Sequence, residues 1–177
     1  MADTWTKIAT GTTTANGQTI TLSSIPAIYT DLFAVVNMRN IDAQGSGRIY
    51  MKINNSTTSY SVKRGFFYPS GNYGADTITD SGQIGWASGT SGYPSGMVVH
   101  IGQYANTSYV KKYSSWVVDH APNTDGIGGF FWGLWNNTSA ISQLQFYPES
   151  GSLRSGCTVT LYGIKAGGAG SVAGSGT

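Results

Sequence analysis

Short segments in which apolar and polar residues alternate recur along most of the chain. In segment 18–23, Gln-Thr-Ile-Thr-Leu-Ser, Ile20 and Leu22 share one face and threonines occupy the other. Segment 157–164 alternates in the same way. A period of two residues is typical of half-buried strands, and Asn16-Gly17 is a strong signal for a turn. We therefore predict about eight to ten short strands, at the spacing of sandwiches and barrels, and no helix.

The clearest strands are predicted at 5–10, 18–23, 31–39, 48–53, 97–101, 108–118, 130–135, 141–146 and 157–164, with shorter ones at 59–63 and 83–86. Segment 31–39 is the longest dense apolar run, and it predicts a central strand covered on both faces. We expect a bulge at Lys111-Lys112, within the long strand 108–118. Cys157 begins the last strand, where it is predicted to be a small buried residue.

Residues 65–96 interrupt the alternation, because they are rich in Gly, Ser, Tyr and Asn and contain two prolines. They predict long surface loops that carry one short strand near Gln83–Trp86, and loops of this length are usually functional. The fold class is predicted to be all-β, a jelly-roll-like antiparallel β-sandwich with long loops. An immunoglobulin-like sandwich is the alternative. Residues 1–165 are expected to form one domain, and the Gly-rich residues 166–177 a flexible tail.

Composition narrows the possible partners. Charged residues make up 10% of the chain, against about 25% in an average protein, and the net charge is +2. The basic doublets are Lys63-Arg64 and Lys111-Lys112. Neighbouring residues of a strand point to opposite faces, so neither doublet makes a basic patch by itself. We therefore expect no nucleic-acid partner.

The N-terminal residues lack both a basic region and an apolar region, so we expect no signal peptide. No apolar run approaches the roughly 20 residues that a membrane span needs, so no membrane partner is expected. One cysteine cannot form an intrachain disulfide, and with only two histidines it makes a zinc site implausible. No cofactor is expected.

Residues for catalysis are few, and the chain is predicted not to be an enzyme. Glu149 is the only glutamate, so a pair of glycosidase carboxylates has no supporting motif. His100 is interpreted as a polar cross-strand residue. The doublet Asp119-His120 is a weak candidate for acid–base or metal chemistry, since adjacent strand residues point apart. A calcium site would draw on aspartates in loops or at strand ends, namely Asp76, Asp80, Asp119 and Asp125.

Aromatic residues within 65–96 are the most suggestive feature for recognition. Tyr and Trp among Ser, Gly and Asn make adaptable binding surfaces, and their rings can stack on sugars. The alternative is that they pack beneath the loops or at a subunit interface. The binding or interface candidates are Phe66, Phe67, Tyr68, Tyr73, Trp86 and Tyr93.

Several short motifs carry a family resemblance. They are Trp5-Thr-Lys-Ile-Ala, Ile25-Pro-Ala-Ile-Tyr-Thr-Asp-Leu32, Met38-Arg39, Ile53-Asn-Asn, Ile101-Gly-Gln-Tyr-Ala105, Tyr109-Val-Lys-Lys and Val159-Thr-Leu-Tyr-Gly-Ile164. Over about residues 5–165 the chain resembles small β-rich virion proteins of tailed bacteriophages, including phages of cyanobacteria. These occur as capsid decoration (cement) proteins and as tail or fibre modules. The resemblance implies a jelly-roll-like fold and homotrimers, and it supplies no catalytic residues.

Two functions follow as expectations. The first is a capsid decoration protein that stabilises the head by binding the lattice of major capsid protein. The second is a tail-associated receptor-binding or fibre module that recognises host surface glycan through the aromatic loops. An enzyme such as a depolymerase ranks third, because carboxylates are so few. In either leading case the protein would be made in the host cytoplasm and end in the virion.

Overall fold

The structure, a computed structural model, describes residues 5–40, 46–68, 70–79, 81–119 and 126–165. Within those ranges no helix is long and apolar enough to cross a membrane. The strands of the described chain, all paired antiparallel, are β1 (Trp5–Thr12), β2 (Ile20–Leu22), β3 (Asp31–Met38), β4 (Ser46–Ile53), β5 (Tyr60–Phe67), β6 (Tyr73–Thr79), β7 (Gln83–Ser88), β8 (Ser95–Gly102), β9 (Lys111–Asp119), β10 (Ile127–Trp135), β11 (Leu144–Pro148) and β12 (Thr158–Ile164).

Eight of these strands form a two-sheet jelly roll. One sheet contains the order β1-β12-β3-β8, and the other, the small sheet, has the order β2-β11-β4-β7. Among these eight strands the chain changes sheet at every step except that from β4 to β7, so strands that follow one another mostly face each other across the core. The prediction of an all-β antiparallel sandwich is confirmed. The strand order is that of a jelly roll and not of the immunoglobulin alternative.

Two further strand pairs widen the first sheet. The hairpin β9–β10 pairs with β8, and the hairpin β5–β6 pairs with β10, giving the eight-stranded order β1-β12-β3-β8-β9-β10-β5-β6, the large sheet. Strand β7 covers the inner side of this extension, where Ser115 Oγ donates to the Ile84 carbonyl at 2.6 Å. Tyr113 OH donates to the Gln83 carbonyl at 3.2 Å. The outer side of the extension has no covering layer among the described residues.

The core lies between the sheets and follows the alternation of the strands. In β3, Leu32, Ala34, Val36 and Met38 are buried, while the residues between them are half-buried or exposed. Strand β3 is central, as predicted, with β12 and β8 on either side. The prediction that both its faces are covered is wrong, because its second face is the outer face of the large sheet. Cys157 is 3% exposed, which confirms its predicted burial.

Most of the segment predicted as long loops, 65–96, is strand, so the loop prediction is wrong, whereas the short strand predicted near Gln83–Trp86 is confirmed as β7. Strand β5 extends into this segment as far as Phe67. Strands β6 and β7 follow, and β8 begins at Ser95. Strand β6 is an edge strand with most of its side chains exposed on both faces, so no alternation reveals it. Strand β7 is buried along its whole length, which also removes the alternation.

Two smaller expectations have different outcomes. The predicted turn at Asn16-Gly17 is confirmed, with Gly17 at a φ of 91°, a conformation that favours glycine. The expected bulge at Lys111-Lys112 is wrong, because β9 pairs with β10 in continuous register from Lys111 to Asp119. The predicted flexible tail, 166–177, lies outside the described residues.

Candidate functional site

Aromatic side chains form a contiguous group on the outer face of the large sheet. This aromatic ridge consists of Phe67 on β5, Phe130 and Trp132 on β10, and Trp116 on β9. Trp116 lies opposite Phe130, and their ring centroids are 4.8 Å apart in an edge-to-face contact. Phe130 also contacts Phe67 and Trp132, at 6.4 Å in each case. Trp116 and Trp132 are 61% and 58% exposed.

Strand alternation explains why these rings point outward. The inward positions of β9 and β10 are already filled by Tyr113, Val117 and Phe131, which are buried. The apolar residues at the other parity must therefore face away from the core. Two glycines flank the ridge, since Gly65 lies opposite Phe130 and Gly128 lies opposite Phe67. Because glycine has no side chain, the backbone beside the rings of Phe130 and Phe67 is uncovered, and a partner can approach these rings closely.

The exposed apolar area of the ridge lies at the upper end of the range for apolar patches on ordinary monomers. Tyr73 and Val118 extend it and are 83% and 70% exposed. At about 150–250 Å² per aromatic side chain, the exposed parts add up to roughly 500–600 Å². The largest apolar patch on an ordinary monomer is about 300–600 Å², and patches of this size are often functional. The ridge is thus a candidate docking surface.

A broad groove lies beside the ridge on the same outer face. It has a volume of about 1090 Å³ and shares Trp132 with the ridge. Apart from Trp132, the side chains that matter most for its chemistry are those of Lys63, His100, Tyr109, Lys112 and Ser114. These residues come from strands β5, β8 and β9 and from the segment before β9, so the pairing of the large sheet brings them together.

The two lysine-containing doublets divide between the faces of the sheet, as predicted. Lys63 and Lys112 are exposed on the outer face, whereas Arg64 and Lys111 are 8% and 1% exposed. Lys63 lies directly opposite Trp132 across the β5–β10 ladder. Lys112 lies on the strand at the other side of β10, so a single strand, roughly 10 Å of sheet, separates the two outward lysines. Neither lysine forms an ion pair within the described ranges.

The buried Lys111 forms hydrogen bonds to segments that line the edge of the groove. Its ammonium donates to the carbonyl oxygens of Asn106, Tyr109 and Thr138, the last two at 2.8 Å. Tyr109 and Thr138 both line the groove. Burial lowers the pKa of Lys111, because desolvation disfavours the charged form. Three hydrogen bonds from one ammonium therefore join the segment before β9 to the segment after β10.

Arg64 forms the corresponding structural contact on the inner side. Its guanidinium binds both carboxylate oxygens of Asp76, at 2.5 and 2.7 Å, and donates to Gln83 Oε1 at 2.9 Å. The hydrogen bond from Arg64 lowers the pKa of Asp76. The carboxylate of this calcium candidate is thus engaged in a bidentate ion pair.

The structure separates the six aromatic residues that the sequence selected. Phe67 belongs to the ridge, and Tyr73 extends it. Tyr68 and Tyr93, 39% and 42% exposed, lie beyond the ends of strands. The remaining two point inward: Trp86 is 5% exposed and its ring lies 5.6 Å from that of Phe66, which packs against the core. Trp116, Phe130 and Trp132 were missed as surface residues. The available signal was that both parities of their strands are apolar.

The catalytic and metal candidates do not converge. His100 Nε2 lies 3.0 Å from Asp31 Oδ2, and Ser114 is opposite His100, but the serine hydroxyl makes no hydrogen bond to the imidazole. A nucleophile and base in contact are the first requirement for acyl transfer. Asp119 is buried and accepts from Ser95 Oγ at 2.6 Å. Three predicted residues lie outside the described ranges: Asp80, His120 and Asp125. No group of three metal-ligating side chains occurs in the part that the structure describes.

The outer face of the small sheet is arranged differently. Glu149 accepts from Arg48 and from Tyr50 OH, both at 2.8 Å. The ring of Tyr50 stacks on that of Tyr147 at 5.7 Å, and Lys52 Nζ lies 4.6 Å from the centre of the Tyr147 ring. Burial and the carboxylate raise the pKa of Tyr50 to about 12. Charged and aromatic groups on this face therefore have partners within the chain.

Comparison with known proteins does not add to this picture. No family model matches the sequence, and no curated protein matches it. A jelly roll by itself is compatible with capsid, lectin and cupin-like roles. Function must therefore be argued from the residues of the outer face and not from the fold.

Proposed function

We propose that this chain is a structural virion protein that acts by assembly, specifically a capsid decoration protein of a tailed bacteriophage. The observation that carries the proposal is the aromatic ridge, in which two tryptophans are more than half exposed on the outer face of the large sheet. Interfaces are enriched in aromatic residues and depleted in Lys and Glu, which matches the residues of the ridge and the composition of the chain. The jelly-roll fold and the resemblance to phage virion proteins support the same function.

The size of the ridge favours repeated, symmetric association. A stable interface buries about 800 Å² on each partner, and the ridge supplies roughly two-thirds of that. At about 25 cal/mol per Å², its burial contributes roughly 12–15 kcal/mol before the costs of association. Those costs are estimated at about 4–15 kcal/mol, so one such contact is weak alone. We propose that the ridge meets a second copy in a homotrimer and that many trimers bind the capsid lattice.

Two measurements test this function. Sedimentation velocity of the purified protein should give a concentration-dependent oligomer, with the trimer as the expected species. Cryo-electron microscopy of the intact particle should show many copies on the head. A monomer at all concentrations together with no density on the head would overturn the proposal.

A second function is favoured by the groove. A tail-associated receptor-binding module needs a surface for host glycan, and the groove combines an exposed indole with hydroxyl and ammonium groups. In this second function the glycan-binding surface consists of residues of β5, β9 and β10, and not of the aromatic loops expected within 65–96. A few copies at the tail and none on the head would favour it over the decoration role.

A further inference from the structure

The groove beside Trp132 combines one ring with two cations, an arrangement that neither the assembly function nor the fold requires. Trp132 stands between Lys63 on one neighbouring strand and the strand of Lys112 on the other. Both ammonium groups lack an ion pair in the described part of the chain. Only 10% of the residues are charged, so two lysines without an ion pair beside one exposed tryptophan are an unusual local arrangement in this protein. Such an arrangement suggests a ligand that contacts both the ring and the cations.

Asp31, a carboxylate beside this groove, contacts groups other than the two lysines. Asp31 accepts from the backbone N–H of Gln103 at 2.8 Å and lies 3.0 Å from His100 Nε2. Its two oxygens are thus occupied by groups other than lysine. Among the described residues that line or contact the groove, Lys63 and Lys112 outnumber this one carboxylate, so the local charge favours a ligand with negative charge.

The remaining lining is suited to a polyhydroxylated ligand. Ser61 and Ser114 line the groove, and their hydroxyls form no hydrogen bond with the described residues. They are directed to the outer face, as their strand positions require. A pyranose ring can place its C–H face on the exposed indole while its hydroxyls bond to serine and threonine. The lysines then lie where a carboxylate of the sugar would be bound.

We propose that this groove binds an acidic polysaccharide, with one sugar ring on Trp132 and sugar carboxylates paired with Lys63 and Lys112. The inference rests on the second candidate function, in which Trp132 is open to solvent and is not covered by a second copy, and it names the ligand class of that function. A single-stranded nucleic acid is disfavoured, because two lysines neutralise at most about two phosphates and would give weak binding at physiological salt.

The test uses immobilised oligogalacturonate and its fully methyl-esterified form, which has the same sugar ring without the charge. A glycan array of other acidic and neutral pairs extends the search, and a dT12 oligonucleotide reports on nucleic acid. We expect binding to acidic glycans, weakened by added salt. Lys63→Met and Lys112→Met should each weaken binding about tenfold. Trp132→Ala should abolish it.

Lys7→Met is the matched control, since Lys7 is exposed on the same sheet but on β1, five strands from β10. It should leave binding unchanged, and thermal melting should show that every variant folds. Equal binding of acid and ester forms, lost only in Trp132→Ala, would overturn the anionic ligand while keeping a glycan-binding function. No glycan binding at millimolar concentration, or binding of dT12 alone, would overturn the inference and leave the assembly function to its own test.

Discussion

The small sheet and the large sheet each have an outer face with charged and aromatic side chains. These side chains have partners within the chain on the small sheet, whereas on the large sheet several of them are exposed. On the small sheet, Arg48 and Tyr50 share the carboxylate of Glu149, and Lys52 lies over the ring of Tyr147. On the large sheet, two tryptophans are more than half exposed, and two lysines lack an ion pair within the described ranges. The small-sheet face belongs to the eight-stranded jelly roll, whereas the exposed tryptophans and lysines lie on strands that widen it, namely β5, β9 and β10. We expect the small-sheet face to contribute to stability and the proposed binding surface on the large sheet to contribute little to it.

The strongest test of this difference uses two adjacent lysines of β9. Lys111→Met removes three hydrogen bonds from a buried ammonium to backbone carbonyl groups, and we expect a loss of about 3 kcal/mol in the free energy of unfolding. Lys112→Met, on the outer face, should change it by less than about 0.5 kcal/mol. Urea unfolding followed by tryptophan fluorescence measures both. A comparable loss in Lys112→Met would mean that the outer face contributes to folding after all.

The ridge and the small-sheet face should respond in opposite ways to loss of an aromatic ring. Trp116→Ser should weaken self-association about 30-fold and leave the stability of the protomer nearly unchanged, as expected for an interface hot spot. Tyr147→Ser should lower protomer stability through loss of its stacking, with no change in association. Sedimentation equilibrium and urea unfolding of both variants provide the comparison. Equal association constants for Trp116→Ser and the native chain would exclude the ridge as the subunit interface.

Two glycines of the large sheet sharpen the contrast between its inner and outer sides. A Cβ at Gly133 would lie 1.9 Å from the ring of the buried Tyr113, so Gly133→Ala should cost about 2 kcal/mol. A Cβ at Gly65 meets no atom within 4 Å. Gly65→Ala should therefore leave thermal stability within about 0.5 kcal/mol of the native value. A destabilised Gly65→Ala, measured by calorimetry, would show that the outer face is covered.

Alkaline titration gives the smallest expected effect. The pKa of Tyr50 is raised to about 12, by burial first and by Glu149 second. Between pH 10 and 12 the unfolded chain loses this proton while the folded chain keeps it, so stability falls as pH rises. Tyr50→Phe should cost about 1 kcal/mol at pH 7, through the lost hydrogen bond to Glu149. The variant should also lose less stability than the native chain between pH 10 and 12, as followed by circular dichroism. An equal loss of stability in the two proteins would contradict the raised pKa of Tyr50.

The sequence predicts the parts of the fold that bury one face of a strand. Alternation in segments 18–23 and 157–164 identified β2 and β12, because a half-buried strand must place apolar residues at every second position. Strand β6 escaped detection, since an edge strand that buries neither face has no such period. The short strand near Gln83–Trp86 was predicted, but Trp86 was expected at a binding surface, because a strand that is buried along its whole length has no alternation to show which residues face the core.

The site could be predicted only in part, because it depends on the register between distant strands. The division of each basic doublet between the two faces follows from alternation and was predicted, but which member faces outward was not. The placement of Lys63 and Lys112 on either side of Trp132 requires β10 to pair with both β5 and β9, and no local pattern encodes that pairing. The ridge did have a local signal, since Phe130, Phe131 and Trp132 are consecutive aromatic residues. Consecutive rings in a strand require one of them to leave the core.

The pairing of β1 with β12 has a practical consequence for how this molecule can be tethered. Trp5 lies opposite Ile164, so the two ends of the described chain meet at one margin of the large sheet. The ridge strands lie near the other margin, four to six strands away in the sheet order, or roughly 20–30 Å. A label attached at Trp5 or Ile164 would therefore lie beside β1, at the margin farther from the ridge strands. Tethering there would keep the attachment point away from the aromatic ridge.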